Sequence, residues 1–399
     1  MENTIRVNGE SLRKMVKSAI SFELAHGTVD MQYSTCIKVH DGIIYVCANN
    51  LSSAYKASTE CRNDGDMEII INDSTVKKLL NVKGNNLTLT HESGEKVLTV
   101  SDGKKKMSLH CYEPDGGCDF ESYTLNFNHT AHGIFDIECA EFLNAVKTAQ
   151  TFTAKDERRP ILQGFLFDSE NLVTIDGYRM CVKHLNVNKL SDQWKFVANA
   201  QLTNVKNVFD KTFGKISAEQ TEDGKHTIFT ANDGEIYVNY SVRNYEGDFH
   251  NWRSSMPKEY KAEFSVTAGN ICEMAKEYKS YISAKDKRPF ILGTLNGKMY
   301  GYIETNDVRV SQEIDVENLS GIDIFTGYNV EYTLDCFGVF DKKEKVQCRY
   351  NGDLSPLLIS NGEYDILLLP VNLGQRSCKE EEKEKFENRI KNFKETSAA

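Results

Sequence analysis

The stretch TAKDERRPILQG, from Thr153 to Gly164, returns as SAKDKRPFILGT, from Ser283 to Thr294, roughly 130 residues later. Each copy stands between a helix-like run and a strand-like run. Solenoid units repeat every ~20 to 50 residues, so a repeat at this distance marks copies of a whole domain. A chain of 399 residues has room for about two to four such domains, each with its own core.

A finer repeat runs inside the first: a short β-like run, a turn or cap residue, then an amphipathic helix. It reads IRVNGESLRKMVKSAI, MEIIINDSTVKKLLNV, FDIECAEFLNAVKTAQ, FVANAQLTNVKNVFDKTFG, FSVTAGNICEMAKEYKSYI and FTGYNVEYTLDCFGVF. Apolar residues recur at helical spacing, as in Leu12, Val16 and Ile20. Alternating strand-like stretches follow, with Asp-Gly in CIKVHDGIIYVCA and TIFTANDGEIYVNYSV and Asn-Gly in LGTLNGKMYGYIE. Those dipeptides favour tight hairpins, because both central residues tolerate positive φ. The expected class is α+β, each unit being strand, helix and antiparallel strands. Grouped in pairs, the units predict three tandem domains, 1–130, 131–257 and 258–373, joined near NFNHTAHGIF and SSMPKEYKAEF. A charged tail, 374–399, follows as a disordered or helical segment, with Phe386, Ile390 and Phe393 on one face if it is a helix.

Hydrophobic residues at 40% and charged residues at 27% are those of a soluble globular protein. No apolar run approaches the roughly 18 residues of a membrane span, and the opening MENTIRVNGESLRKMVKSAI lacks a signal-peptide core. The reading is a cytoplasmic protein without a membrane partner. Eleven cysteines, scattered singly with no C-x-x-C pair, read as reduced, partly buried thiols rather than a disulfide framework or zinc site. Neither a metal nor another cofactor is expected. G-x-S-x-G, P-loop, G-x-G-x-x-G and H-E-x-x-H patterns are all missing, so no enzyme is expected.

The net charge of −10 argues against a nucleic-acid partner only if charge is spread evenly. It is not. Most of the predicted helices carry cations away from their apolar stripes: Arg13, Lys14 and Lys17; Lys77 and Lys78; Lys147; Lys206 and Lys211; Lys276 and Lys279. The repeated loops add Lys155, Arg158 and Arg159, and Lys285, Lys287 and Arg288. If equivalent helices face one way, these cations form a surface that holds duplex DNA through phosphates, without sequence preference.

In this order and spacing, RRPILQGFLFD, LVTIDGYRMCV, YEGDFHNWRSSMP, GYNVEYTLDCF and SPLLISNGEYDILLLPVNL resemble the beta subunit of bacterial DNA polymerase III, the sliding-clamp family, from Met1 to about Leu373. The resemblance implies a processivity factor that tethers the replicative polymerase. It implies a head-to-tail homodimer, a six-domain ring around double-stranded DNA, with the DNA polymerase III alpha subunit, the clamp loader and other clamp-binding-motif proteins as partners. It also implies a peptide-binding cleft, carried here by Leu162, by Ile175, Gly177, Tyr178, Arg179 and Met180, and by Leu367, Leu368, Leu369, Pro370, Val371 and Leu373. Ring closure would set Met107 and Leu109 against Tyr281 and Ile282 of the neighbour. Asn372 replaces a frequent arginine, and most clamps stop near Leu373, whereas this chain runs on and its tail is placed to cover or extend the cleft. A multi-domain adaptor that binds proteins without encircling DNA is the alternative.

Overall fold

A computed structural model describes residues 2–24, 28–114, 118–282, 288–374 and 376–397, with side chains along the final helix from 379 to 391. Lys285, Lys287 and the Phe393 side chain lie outside what is described. The chain divides into two compact units.

The first unit comprises Met1–Lys147, Gly164–Glu170 and Leu185–Asp248. Its backbone is one antiparallel sheet, continuous because the long strand Ser53–Asn63 pairs on one side with Tyr237–Arg243, setting Tyr55 opposite Tyr240, and further along with Glu2–Asn8. The sheet order ends in Asn86–Glu92, Val97–Ser101 and Lys106–His110 on that side, and in His226–Asn232, Lys215–Thr221, Ala131–Glu138 and Val187–Lys189 on the other. The helix Gly9–Ala19 starts where the Asn8 side chain accepts from Glu10 N and Ser11 N, and it buries Leu12, Met15, Val16 and Ala19.

The second unit comprises Thr148–Gln163, Asn171–His184 and Phe249–Ala399. One sheet runs Asn171–Ile175, Arg179–His184, Tyr364–Leu368, Leu357–Ser360, Lys345–Tyr350, Ala262–Thr267, Val316–Gly321; a second runs Arg309–Ile314, Lys298–Glu304, Phe290–Leu295, Phe325–Tyr328. The helices Ala268–Tyr281 and Val330–Phe337 contribute Ile271, Met274, Tyr278 and Phe337 to a core shared with both sheets. The tail is a helix, Arg376–Ser397. Its charge pattern left disorder open; Phe386 and Ile390, 1% and 0% exposed, bind it to the second sheet through Ile291, Tyr300, Tyr302 and Phe325.

All six repeated sequences pass from strand into helix, but two of the helices are shorter than their sequences suggest. Asp73–Val76 gives way to a 3-10 turn over Lys77–Asn81, and the fourth unit breaks into Ala200–Asn204, Val205–Val208 and Lys211–Phe213. Both stretches are rich in Asn, Thr and Val, whose side chains compete for backbone hydrogen bonds or lose rotamer freedom in a helix. Two hairpins turn on two residues with positive φ, Asp41-Gly42 and Asn296-Gly297. The third differs: Asn232 pairs with Tyr237, leaving a four-residue loop in which Asp233 accepts from the amides of Glu235 and Ile236. No helix among the described residues is long and apolar enough to cross a membrane.

Candidate functional site

In the second unit the segment Asp176–Arg179 links two paired strands, Ile175 lying opposite Met180. Asp176 shapes the turn by accepting from the amides of Tyr178 and Arg179, and Gly177 takes φ +94° there. Arg179, 6% exposed, donates through Nε to Asp176 (2.8 Å), through Nη1 to Asp335, and through Nη2 to the carbonyl of Thr151 (3.1 Å). Its guanidinium lies 4.5 Å from the ring centre of Tyr332 and 5.3 Å from that of Phe152. Burial alone would lower its pKa, but the bonds to Asp176 and Asp335 outweigh burial and hold the charge more firmly than usual.

This one side chain therefore ties together the turn after a helix, a hairpin and the helix Val330–Phe337. Tyr178 stacks on Tyr332 at 5.5 Å while remaining 59% exposed. Leu369 N donates to Tyr178 O (2.9 Å) and Val371 N to Gly327 O (2.8 Å), so the chain end is laid alongside. Tyr178 and Leu369 are exposed, with Pro370, Val371, Leu373 and Leu162 half-buried. Together they supply the apolar, partly wet lining that a peptide groove needs.

Other cleft candidates sit deeper. Met180, Leu367 and Leu368 are buried, and Ile175 nearly so, because the strand Tyr364–Leu368 is covered on both faces. Leu162 lies in the 3-10 turn Pro160–Gln163, its carbonyl accepting from Ala154 N. Sequence reasoning missed Tyr332 and Asp335. Their three-residue spacing after the capping Asn329 was the available signal, since it puts both on one helix face.

The cations of the first unit do not all stand free. Arg13 donates to the carbonyls of Val82 and Gly84 at 2.8 and 2.9 Å. Lys14 lies 2.7 Å from Asp233 and 3.2 Å from Asp210, donates to Thr212 and covers the Phe213 ring. Lys17, Lys77, Lys78, Lys147, Lys206 and Lys211 are exposed and, among the described residues, have no ion-pair partner. In the second unit Lys155, Arg159 and Lys276 are exposed in the same way, whereas Arg158 is held by Asp156 and Lys279 by Glu331. Arg288 donates to Glu304 O and to Asn306. Lys14, Arg158 and Lys279 thus have carboxylate partners within the chain.

The Lys14 cluster carries a pH prediction. Burial raises the pKa values of Asp210 and Asp233, but hydrogen bonds and Lys14 more than offset it, leaving both below their ordinary 3.8. A depressed carboxylate stabilises the fold above its unfolded pKa and loses that contribution as pH falls through the folded value. Lys14→Met should therefore cost about 1 kcal/mol at pH 7. In urea titrations that difference from the parent should shrink as pH falls below the ordinary carboxylate value of 3.8 and vanish once both carboxylates are protonated in the folded chain.

At the ends of the sheets, Lys106–His110 closes the order in the first unit and Arg309–Ile314 that of the second sheet in the second unit. Leu109 is 2% exposed and Met107 half-buried, while Lys106, Ser108 and His110 face out. Period-two alternation thus turns the Leu109 side chain inward, into its own unit. Tyr281 and Ile282 are half-buried against their unit's core, and Tyr281 donates to Glu277 (2.7 Å).

No family model matches the chain. The beta sliding clamp of Streptococcus pneumoniae serotype 4 is 21% identical over 285 residues, 69% of this chain and 71% of the relative. Among solved structures, a putative DNA polymerase III beta subunit from Eubacterium rectale aligns with TM-score 0.82 at 16% identity, over 94% of this chain and 100% of its own. The DNA polymerase sliding clamp of Bacillus subtilis aligns with TM-score 0.80 at 14% identity, over 93% and 100%. The chain thus resembles beta sliding clamps in sequence and has the mixed α/β fold of DNA polymerase III beta subunits.

Proposed function

We propose that this chain, similar to beta sliding clamps over more than two thirds of its length, is itself a sliding clamp. It acts without catalysis in the cytoplasm, encircling duplex DNA and tethering the replicative polymerase for processive synthesis. The observation that carries this reading is the structural likeness to beta subunits, which spans their whole length. Three domains, 1–130, 131–257 and 258–373, close head to tail with a second copy into a six-domain ring. A sheet edge left open in each unit supports closure by strand addition.

Lys17, Lys77, Lys78, Lys147, Lys155, Lys206, Lys211, Arg159 and Lys276 supply the phosphate contacts. Weak contacts of this kind suit a ring that must slide: topology gives the hold, and charge only centres the duplex. The groove around Tyr178, Leu369 and Val371 receives linear peptides of the polymerase alpha subunit and the clamp loader, and Arg179 keeps its walls in place.

The test is retention on nicked circular plasmid, loaded with a clamp loader and followed by sedimentation. The protein should stay on the circle and leave within minutes once the plasmid is cut. Retention indifferent to the cut would favour the adaptor reading.

A further inference from the structure

The C-terminal helix, Arg376–Ser397, follows the groove segment Leu369–Leu373 after only a few residues. Two structural neighbours are matched over their whole length by 94% and 93% of this chain. The helix is docked. Phe386 and Ile390 fill the outer face of the second sheet, and Leu373 packs against the same cluster. Leu373 also rests on Gly327 and lies beside Pro289, the residue after the repeated loop's Arg288.

Between helix and chain end lies a cavity of about 410 Å³, lined among others by Pro289, Tyr302, Asn372, Leu373, Glu382 and Lys385. Asn372 and Leu373 belong to the groove segment; Glu382 and Lys385 belong to the helix. The volume lies within the ~300 to 1,000 Å³ of ligand pockets. Its lining mixes apolar groups, Leu373, Pro289 and Ile291, with the charged Arg288 and Glu304 and with the Glu382–Lys385 pair at 2.9 Å, Lys385 being half-exposed. An apolar side chain flanked by charged residues matches that chemistry, because an exposed ion pair exchanges partners at little cost.

We propose that this cavity extends the peptide groove beyond Leu373, taking an apolar residue and its charged neighbours that flank a groove-bound motif, and that the C-terminal helix is its selectivity wall. This rests on the sliding-clamp reading. The helix acts in two ways: Phe386 and Ile390 hold Leu373 in position, and Glu382 and Lys385 meet the flanking charges.

The experiment uses fluorescence anisotropy with three labelled peptides. One is a clamp-binding pentapeptide of a DNA polymerase III alpha subunit; the others extend it by Glu-Leu-Lys at its N- or C-terminus. On the full chain, one extended peptide should bind about five-fold tighter than the pentapeptide. That ratio should fall to about one on a chain ending at Gly374, and by about half with Lys385→Glu, a surface change that keeps the test open if truncation impairs folding. Equal affinities on the full chain, or a ratio that survives both changes, overturn the proposal. Failure of the pentapeptide itself to bind would overturn the clamp reading, and this inference with it.

Discussion

Arg179→Ala is expected to lower the free energy of unfolding by about 3 kcal/mol, the lower end of what breaking a buried ion pair costs. The guanidinium serves two carboxylates and a carbonyl at once and is sandwiched by Tyr332 and Phe152. Its removal leaves Asp176 nearly buried, though still bonded to the amides of Tyr178 and Arg179, while Asp335 is 42% exposed and regains water. That asymmetry is why the lower figure applies. Urea denaturation with an unchanged m-value is the measurement. A loss under about 0.5 kcal/mol, the ordinary surface value, would mean the hub carries no weight.

Arg179→Lys separates charge from geometry. Lysine keeps the cation but has no planar fork to reach Asp176, Asp335 and Thr151 together, so about half of the loss should remain. The peptide groove should follow stability here. Tyr178 and Leu369 are joined by one backbone hydrogen bond beside Arg179, and a loosened hairpin releases both. Affinity for the pentapeptide should fall in both variants in the order of their stabilities. A fall with Arg179→Lys as deep as with alanine would instead mean that the guanidinium touches the peptide.

What was readable beforehand follows from the range of the interactions. The turns at Asp41-Gly42 and Asn296-Gly297 were legible because two-residue hairpins require backbone conformations that few residues tolerate. Asp233-Gly234 misled because its loop is lengthened by two residues, an arrangement in which Asp233 meets Lys14, 219 positions away. Helical spacing could place Lys14 off the apolar stripe but could not show which carboxylates would come to it. For the same reason Asp335 stayed hidden: it becomes a site residue only through Arg179, 156 positions earlier. The inward turn of Leu109 was also legible, since strand alternation alone gives it.

The docking of the C-terminal helix is the point where one missing side chain matters most. Gly293 lies in the strand Phe290–Leu295, and a Cβ built there would stand 2.6 Å from the tip of the Phe386 ring. The ring thus occupies the space that any other residue at 293 would fill. Gly293→Ala should therefore cost about 1 to 2 kcal/mol by overpacking, despite alanine's smaller entropy loss in a strand. Phe386→Ala should cost about 3 kcal/mol through the cavity left among Ile291, Tyr300, Tyr302 and Phe325. The two changes should not add. With the ring removed, the methyl at 293 enters vacated space, so the double variant should be about 1 kcal/mol or more better than the sum. Urea midpoints of the four proteins measure this directly. Strict additivity would show that the ring does not sit on Gly293, and the helix would then have to be held elsewhere, for instance through Lys379 and Asp353.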